Sequence, residues 1–220
     1  MKEEPRDVRV AKRIIKSAIR KTLASPLLAR AAAALSAGRR KDIPADSDPV
    51  RLPRDEGAHR CWLEWWYWTG HLRAGAGRRF GFELVFFEVR LAGVTFKATH
   101  HAVTDIEKKS FHHRVEWGIK SKEDAGPGIC LSHHDLRAEG RDGNDRLQGE
   151  VDGYRLDLSL ASLKAPVLQH DRGYLAYDFG GFAHYYSRQR MDARGTLRLC
   201  GEEIPVVGSA WFDHQWGDMG

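Results

Sequence analysis

From Cys61 onward, the sequence consists of short runs rich in β-branched and aromatic residues, separated by turn signals such as GRDGND, DARG and GEE. None of these runs has the 3.6-residue apolar period of a helix. Short strands with frequent turns are typical of an antiparallel barrel or sandwich. We therefore predict an all-β domain over residues 45–220. Its predicted strands are CWLEWWYWTGHL, RFGFELVFFEVRL, TFKATHHAVTDI, SFHHRVEWGI, ICLSHHDLRAE, RLQGEV, YRLDLSLAS, GFAHYYSRQRM, TLRLC and PVVGSAWFDHQW.

The first predicted strand has no polar face, although neighbouring side chains on a strand point to opposite sides of the sheet. A sheet with one solvated face would alternate apolar and polar residues. This strand must therefore meet apolar material on both sides, either as a packed core or as the wall of an aromatic-lined ligand cavity. One face carries Trp62, Glu64, Trp66 and Trp68, and the other carries Leu63, Trp65, Tyr67 and Thr69.

The basic charge of the chain is concentrated at its N-terminal end. Residues 1–41 carry a net charge of +9 and residues 42–220 a net charge of −4, so the main domain has no excess of basic residues. We therefore predict no nucleic-acid partner. Residues 1–44 are predicted to be a basic segment and linker, set apart from the β domain.

Three interpretations of the N-terminal segment remain open. Residues 1–41 can be read as a basic amphipathic helix on an anionic membrane surface, as a solvated tail, or, over residues 1–37, as a signal peptide. The first two predict a cytoplasmic or peripheral membrane protein, and the third predicts an exported one.

The sequence predicts no metal, cofactor or disulfide. Cys61, Cys130 and Cys200 are widely spaced, and none belongs to a C-x-x-C pair. Adjacent histidines such as His100 and His101 point to opposite faces of a strand, so at most one of each pair faces inward and the two cannot chelate one ion. Two-histidine–carboxylate spacings, Walker motifs and dinucleotide fingerprints are all missing from the sequence.

The last predicted strand places an acid among aromatic rings. Trp211, Asp213 and Gln215 share one face of this strand. If Asp213 and Trp211 line one cavity with His184 and Tyr186, burial raises the pKa of Asp213, which can then donate a proton to an alkene.

Aromatic faces would stabilise the resulting carbocation, and His184 would deprotonate the attacking water. The alternative is that Asp213 ties down a loop or pairs with an arginine such as Arg188 or Arg190.

The motifs EWWYWTGHL, FGFELVFFEVRL, HHAVTD and AHYYSRQRMDARGTLRLCGEEIPVVGSAWFDHQWGD occur in this order. Together they resemble the lipocalin-like family of hydroxyneurosporene synthase, or carotenoid 1,2-hydratase, and its AttH-like relatives, over roughly residues 55–220. The resemblance implies a lipocalin-like barrel and acid-catalysed addition of water to an isoprenoid double bond without a cofactor. By motif, Asp213 would be the proton donor and His184 the residue that assists water.

The aromatic residues near these positions differ from the hydratase pattern, which has a tyrosine at Trp211 and a tryptophan at Tyr186. This difference weakens the case for a carotenoid substrate. Non-catalytic lipid or isoprenoid binding, and cyclase or isomerase activity of the same fold, stay open. The predicted substrate-binding residues are Trp211, Tyr186, Trp66, Glu64 and Tyr67.

The resemblance also implies two tandem lipocalin-like domains with a ligand site at their junction, whereas this sequence matches only the first. We therefore expect an apolar, isoprenoid-like or lipid-like ligand, and either a homodimer or a separately encoded second domain.

Overall fold

Antiparallel strands make up most of the computed structural model, which describes residues 48–91, 93–120, 128–170, 172–177 and 181–218. The predictions made for the N-terminal segment lie outside these residues. The strands are β1 (Leu63–Ala74), β2 (Arg79–Leu91), β3 (Val94–Asp105), β4 (Ser110–Ile119), β5 (Ile129–His133), β6 (Leu136–Arg141), β7 (Asn144–Val151), β8 (Tyr154–Ser162), β9 (Val167–Leu168), β10 (Tyr174–Ala176), β11 (Phe182–Leu199) and β12 (Glu202–Asp218). Short 3₁₀ turns cover Arg54–Glu56 and Gly75–Gly77.

All of these strands belong to one sheet, in the order β4-β3-β2-β1-β12-β11-β8-β7-β6-β5, with β9 and β10 paired to β11. The sheet curls until β3 and β4 contact β7, which gives a nearly closed barrel. The predicted all-β, lipocalin-like fold is confirmed. Within the described residues, no helix is long and apolar enough to span a membrane.

The barrel interior is filled by alternate side chains of the strands, as the period of two requires. Trp66, Trp68, Phe212 and Tyr186 are completely buried there, together with leucines of β7 and β8. Burying one large apolar side chain contributes about 1.5–3 kcal/mol. The aromatic residues of β1 and β12 therefore stabilise the barrel, whatever else they do.

Two predicted strand boundaries were wrong. The run ICLSHHDLRAE forms two strands, because the chain turns at His134 with a positive φ of 53°. Conversely, the segment DARG does not turn but continues β11. At Gly195 a β-carbon would lie 2.0 Å from the carbonyl oxygen of Asp157, so this glycine allows close strand contact instead of a turn.

An irregularity in β11 determines which of its side chains point inward. The register with β12 shifts between Arg188 and Met191, where one extra residue enters β11. Such a bulge reverses the alternation of the strand. Tyr186 and Arg188 before it, and Met191 and Ala193 after it, are therefore all buried in the interior.

Candidate functional site

The predicted site residues separate onto the two faces of the barrel wall. Tyr186 pairs across the sheet with His214, while Ser187 pairs with Asp213. Since side chains alternate along each strand, Tyr186 and Asp213 point to opposite faces. The expected cavity that combines Asp213 with His184 and Tyr186 is therefore not formed. Facing outward are Asp213, Trp211 and Tyr67, and facing inward are His184, Tyr186, Trp66 and Glu64.

Asp213 is half-buried on the outer face. Burial raises the pKa of this carboxyl group, and hydrogen bonds from neighbouring side chains offset only part of that effect. The Ser187 hydroxyl donates to Asp213 Oδ1 at 2.5 Å. The side chains of Trp211 and Tyr185 also contact the carboxyl group. A raised pKa is the property that a carboxylic acid needs to donate a proton near neutral pH.

The alternative in which an arginine neutralises Asp213 is not realised. Arg188 faces the interior, where its guanidinium pairs with Glu56. Arg190 is exposed, and no ion pair joins it to Asp213 within the described part of the chain. Asp213 therefore lacks, among these residues, the positive partner that would lower its pKa.

A second polar group lies on the same outer face. The Tyr67 hydroxyl donates to Glu83 Oε2 at 3.0 Å, and Glu83 Oε1 lies 2.6 Å from His100 Nδ1. The register aligns Asp213, Tyr67, Val85 and His100 in one row across β12, β1, β2 and β3. Three strand spacings of about 4.8 Å put the ends of this row about 14 Å apart.

Glu83 and His100, which the structure places on the same face as Asp213, are not among the site residues predicted from the sequence. Two features of the sequence could have pointed to them. One is the acid within the apolar run FGFELVF, and the other is the rule that at most one residue of the pair His100–His101 faces inward. That rule is confirmed, because His101 points into the barrel and His100 points away from it.

The outer face around this row is unusually apolar. Strand β4 alternates in the reverse sense, with polar side chains inward and, except for His113, apolar ones exposed. Trp117 is 48% exposed and Ile119 is 65% exposed. Exposed apolar patches of this kind mark ligand or protein contact surfaces. An open groove of about 580 Å³ adjoins Trp211 and continues along β1 and β12.

The inner face carries a different carboxylate, Glu64, which is 1% exposed. His59 Nδ1 lies 2.7 Å and His214 Nε2 lies 2.9 Å from Glu64 Oε1, and the backbone N–H of His59 donates to Oε2 at 2.7 Å. Burial opposes ionisation of Glu64, but the hydrogen bonds from His214 and His59 outweigh it and lower its pKa. For His214, burial is the dominant effect and lowers its pKa to about 4.

Aromatic rings enclose the inner group. The His214 ring lies 4.7 Å from that of Trp66 and 4.6 Å from that of Trp216. Trp216 also stacks on His59 at 4.0 Å and on His184 at 5.2 Å. These contacts hold the imidazoles in fixed orientations.

His184 lies at the rim of this inner group, not beside Asp213. Its Nε2 is 3.1 Å from the carbonyl oxygen of Asp48, and its ring contacts Tyr174 and Phe182. His184 lies on the face of the sheet opposite Asp213. Its role as the histidine that assists water stays a prediction.

A nearly closed barrel of antiparallel strands is the architecture of lipocalin-like proteins. The AttH-like family model matches residues 43–220, and the chain belongs to this family.

Solved structures that share the fold include two with the following similarity to this chain. An AttH protein (NE1406) from Nitrosomonas europaea has a TM-score of 0.68 and 27% identity, over 76% of this chain and 55% of that one. Kievitone hydratase from Nectria haematococca has a TM-score of 0.62 and 14% identity, over 80% of this chain and 54% of that one. The chain thus spans about half the length of each neighbour. No curated protein sequence matches it.

Proposed function

We propose that this protein is a hydratase-type enzyme that adds water to a carbon–carbon double bond of an apolar, isoprenoid-like compound. The observation that carries the proposal is the raised pKa of Asp213, a carboxyl group set among aromatic side chains without a cationic partner in the described part of the chain. Membership of the AttH-like family and the fold shared with a kievitone hydratase support it. A carotenoid-type terminal double bond is the finer form of the proposal and rests on the sequence resemblance alone.

In this mechanism, protonated Asp213 transfers its proton to one alkene carbon, which leaves a carbocation on the other. The rings of Trp211, Tyr185 and Tyr67 line the same face, and their π electrons stabilise the cation. Burial raises the pKa of Tyr67, so its phenol stays neutral.

Water then attacks the cation, and a base removes one proton from the attached water, which leaves the alcohol. We assign the base to His100, whose Nδ1 lies 2.6 Å from Glu83 Oε1. Because its backbone lies about 14 Å from that of Asp213, across three strand spacings, the substrate and intervening water must span the distance between the two side chains. The proton returns to Asp213 through solvent, so the net reaction is alkene plus water giving alcohol. Glu83 is a positioning residue in this scheme.

The decisive experiment measures incorporation of ¹⁸O from labelled water into terminal isoprenoid alkenes by mass spectrometry. Asp213→Asn should reduce turnover at least about 100-fold, since general acid catalysis contributes about 10²–10⁴-fold. The control is Glu203→Gln, an exposed acid on the same strand. Undiminished turnover by Asp213→Asn would refute the assignment of the acid.

A parallel pair of variants tests the base. His100→Gln should lower turnover about 10- to 100-fold, and His184→Gln should have little effect. The reverse result would restore His184 to the role that the sequence resemblance implies.

A non-catalytic isoprenoid-binding module is the second candidate, favoured by the open groove beside Trp211 and the exposed apolar side chains of β4. It predicts that the wild-type protein binds such alkenes without converting them. Quenching of tryptophan fluorescence, measured beside the ¹⁸O assay, separates binding from turnover.

We also propose that a second copy of this chain covers the apolar outer face. The chain spans 55% and 54% of its structural neighbours, so a second β domain of similar size would match their length. Light scattering should then give a dimer, and the double change Trp117→Ser with Ile119→Ser should give a monomer. A wild-type monomer would contradict this proposal.

A further inference from the structure

Three side chains that are distant in sequence meet at one end of the barrel interior. His59 precedes β1, Glu64 lies on β1, and His214 lies on β12. One potential ligand atom from each lies within 4.8 Å of the other two. We propose that His59, Glu64 and His214 bind a divalent transition-metal ion, with Zn²⁺ as the ion that fits best.

The donor set suits this ion. Zinc is bound by imidazole nitrogen at about 2.0–2.1 Å and by carboxylate oxygen at about 2.0–2.2 Å, and two histidines with one glutamate form a known combination. Ligand atoms of a tetrahedral centre with such bonds lie about 3.3–3.5 Å apart. The distances here are 2.7 Å from His59 Nδ1 and 2.9 Å from His214 Nε2 to Glu64 Oε1. A widening of about half an ångström would therefore admit the ion.

The segment that carries His59 can supply this widening. Glu64 and His214 are fixed in paired strands, whereas His59 lies between the 3₁₀ turn and β1. Its side chain is also 23% exposed, compared with 2% for Glu64 and none for His214. The partly open side at His59 leaves room for a water as the fourth ligand and gives the ion a path of entry.

The charge of the site favours a cation. Glu64 is buried, and its ion-pair contacts among the described residues are histidines only. Two other buried glutamates nearby do have cationic partners, Glu56 the Arg188 guanidinium and Glu88 the Lys120 ammonium group. Because a buried anion without a full positive charge is costly, a divalent ion at Glu64 would be strongly favoured.

The surroundings also match those of metal-bound histidines. Such a histidine commonly has a carboxylate or carbonyl near its second ring nitrogen. Asp55 Oδ1 lies 3.7 Å from His59 Nε2, the nitrogen that would not bind the ion. The rings of Trp66 and Trp216, stacked on the imidazoles, oppose rotation away from the ion.

The test uses the full chain, stripped with EDTA and titrated with Zn²⁺ and separately with Co²⁺. We expect saturable 1:1 binding by calorimetry, a rise in Tm with Zn²⁺, and the visible absorption bands of four-coordinate Co²⁺. His59→Gln should weaken Zn²⁺ binding at least about 10-fold, as loss of one ligand predicts. This variant is preferred to Glu64→Gln because His59 is partly exposed and outside the strands.

His71→Gln is the matched control, since His71 is an exposed histidine on β1. The His71→Gln variant should bind Zn²⁺ with the same affinity as the wild-type protein. Two outcomes would overturn the proposal: no binding of either ion to the folded wild-type protein, or binding that His59→Gln leaves unchanged. The second would locate the ion at surface histidines. The site lies on the face opposite Asp213, so these readouts are independent of the hydratase assay.

Discussion

Asp213 and Glu64 are carboxyl groups of paired strands, on opposite faces of one barrel wall, and their pKa values move in opposite directions. Burial raises the pKa of Asp213 because Ser187 and its other hydrogen-bonding neighbours compensate only in part. Burial acts on Glu64 in the same sense, but His214 and His59 outweigh it and the pKa falls. The comparison shows that the partners of a carboxyl group, and not its burial alone, decide its protonation state.

The two faces therefore suit different chemistry. A carboxyl group that keeps its proton can serve as an acid, as we propose for Asp213. A carboxylate held ionised beside imidazoles can bind a cation, as we propose for Glu64.

Among the substitutions that test this difference between the two carboxyl groups, Glu64→Gln should have the largest effect on the free energy of unfolding. The amide oxygen can occupy only one of two positions, that of Oε1 beside the rings of His59 and His214 or that of Oε2 beside the backbone N–H of His59. The amide N–H groups therefore meet a donor at the other position. Loss of one partner in such a buried network costs about 2–4 kcal/mol. Urea unfolding of EDTA-treated protein at pH 7 measures it, with the exposed Glu139→Gln as control. A loss below about 0.5 kcal/mol would show that the hydrogen bonds are weak.

An intermediate effect on stability is expected for Asp145→Asn. This variant tests whether the hydrogen-bonding and charged partners of a carboxyl group matter more for its pKa than the face of the barrel on which it lies. Asp145 is an interior residue, yet burial raises its pKa from 3.8 to about 6, against the weaker opposing effects of Trp68 and Arg188. The Trp68 indole N–H donates to Asp145 Oδ2 at 2.9 Å, and an asparagine oxygen can accept the same bond.

The folded protein binds this proton more tightly than the unfolded chain, so wild-type stability falls as pH rises from about 4 to about 6. The Asp145→Asn variant has no titrating group at this position and avoids that loss. We expect the variant to be more stable than the wild type by about 2–3 kcal/mol at pH 8, and similar to it at pH 4. Thermal unfolding at both pH values checks this, and equal differences at the two would contradict it.

The smallest effect is expected for the stability of Asp213→Asn. The raised pKa of Asp213 implies a pH dependence in the same direction as that of Asp145: wild-type stability is lost as the pH rises through the folded-state pKa. Because Ser187 can still donate to the amide oxygen, the variant should be more stable than the wild type at pH 8. Denaturant unfolding measures this gain. A loss of stability would indicate that Asp213 is ionised and paired, which would also weaken the hydratase proposal.

Much of the fold could be predicted from local patterns. Residue alternation located most strands and separated Trp211 and Asp213 from His214 and Trp216. The failures at His134 and Gly195 came from single residues, one with a positive φ and one in close strand contact. Such conformations depend on neighbouring strands and leave little trace in the local sequence.

The β class, the family and Asp213 as the acid to test follow from the amino-acid sequence, because period-two patterns and short motifs are local properties. Which face each strand turns inward depends on sheet closure and on the bulge between Arg188 and Met191, so it is fixed only when the strands assemble. The tertiary structure places His100, and not His184, on the face of Asp213. It also brought Glu64 within 2.9 Å of His214, although 150 positions separate them, because β1 and β12 pair in the barrel.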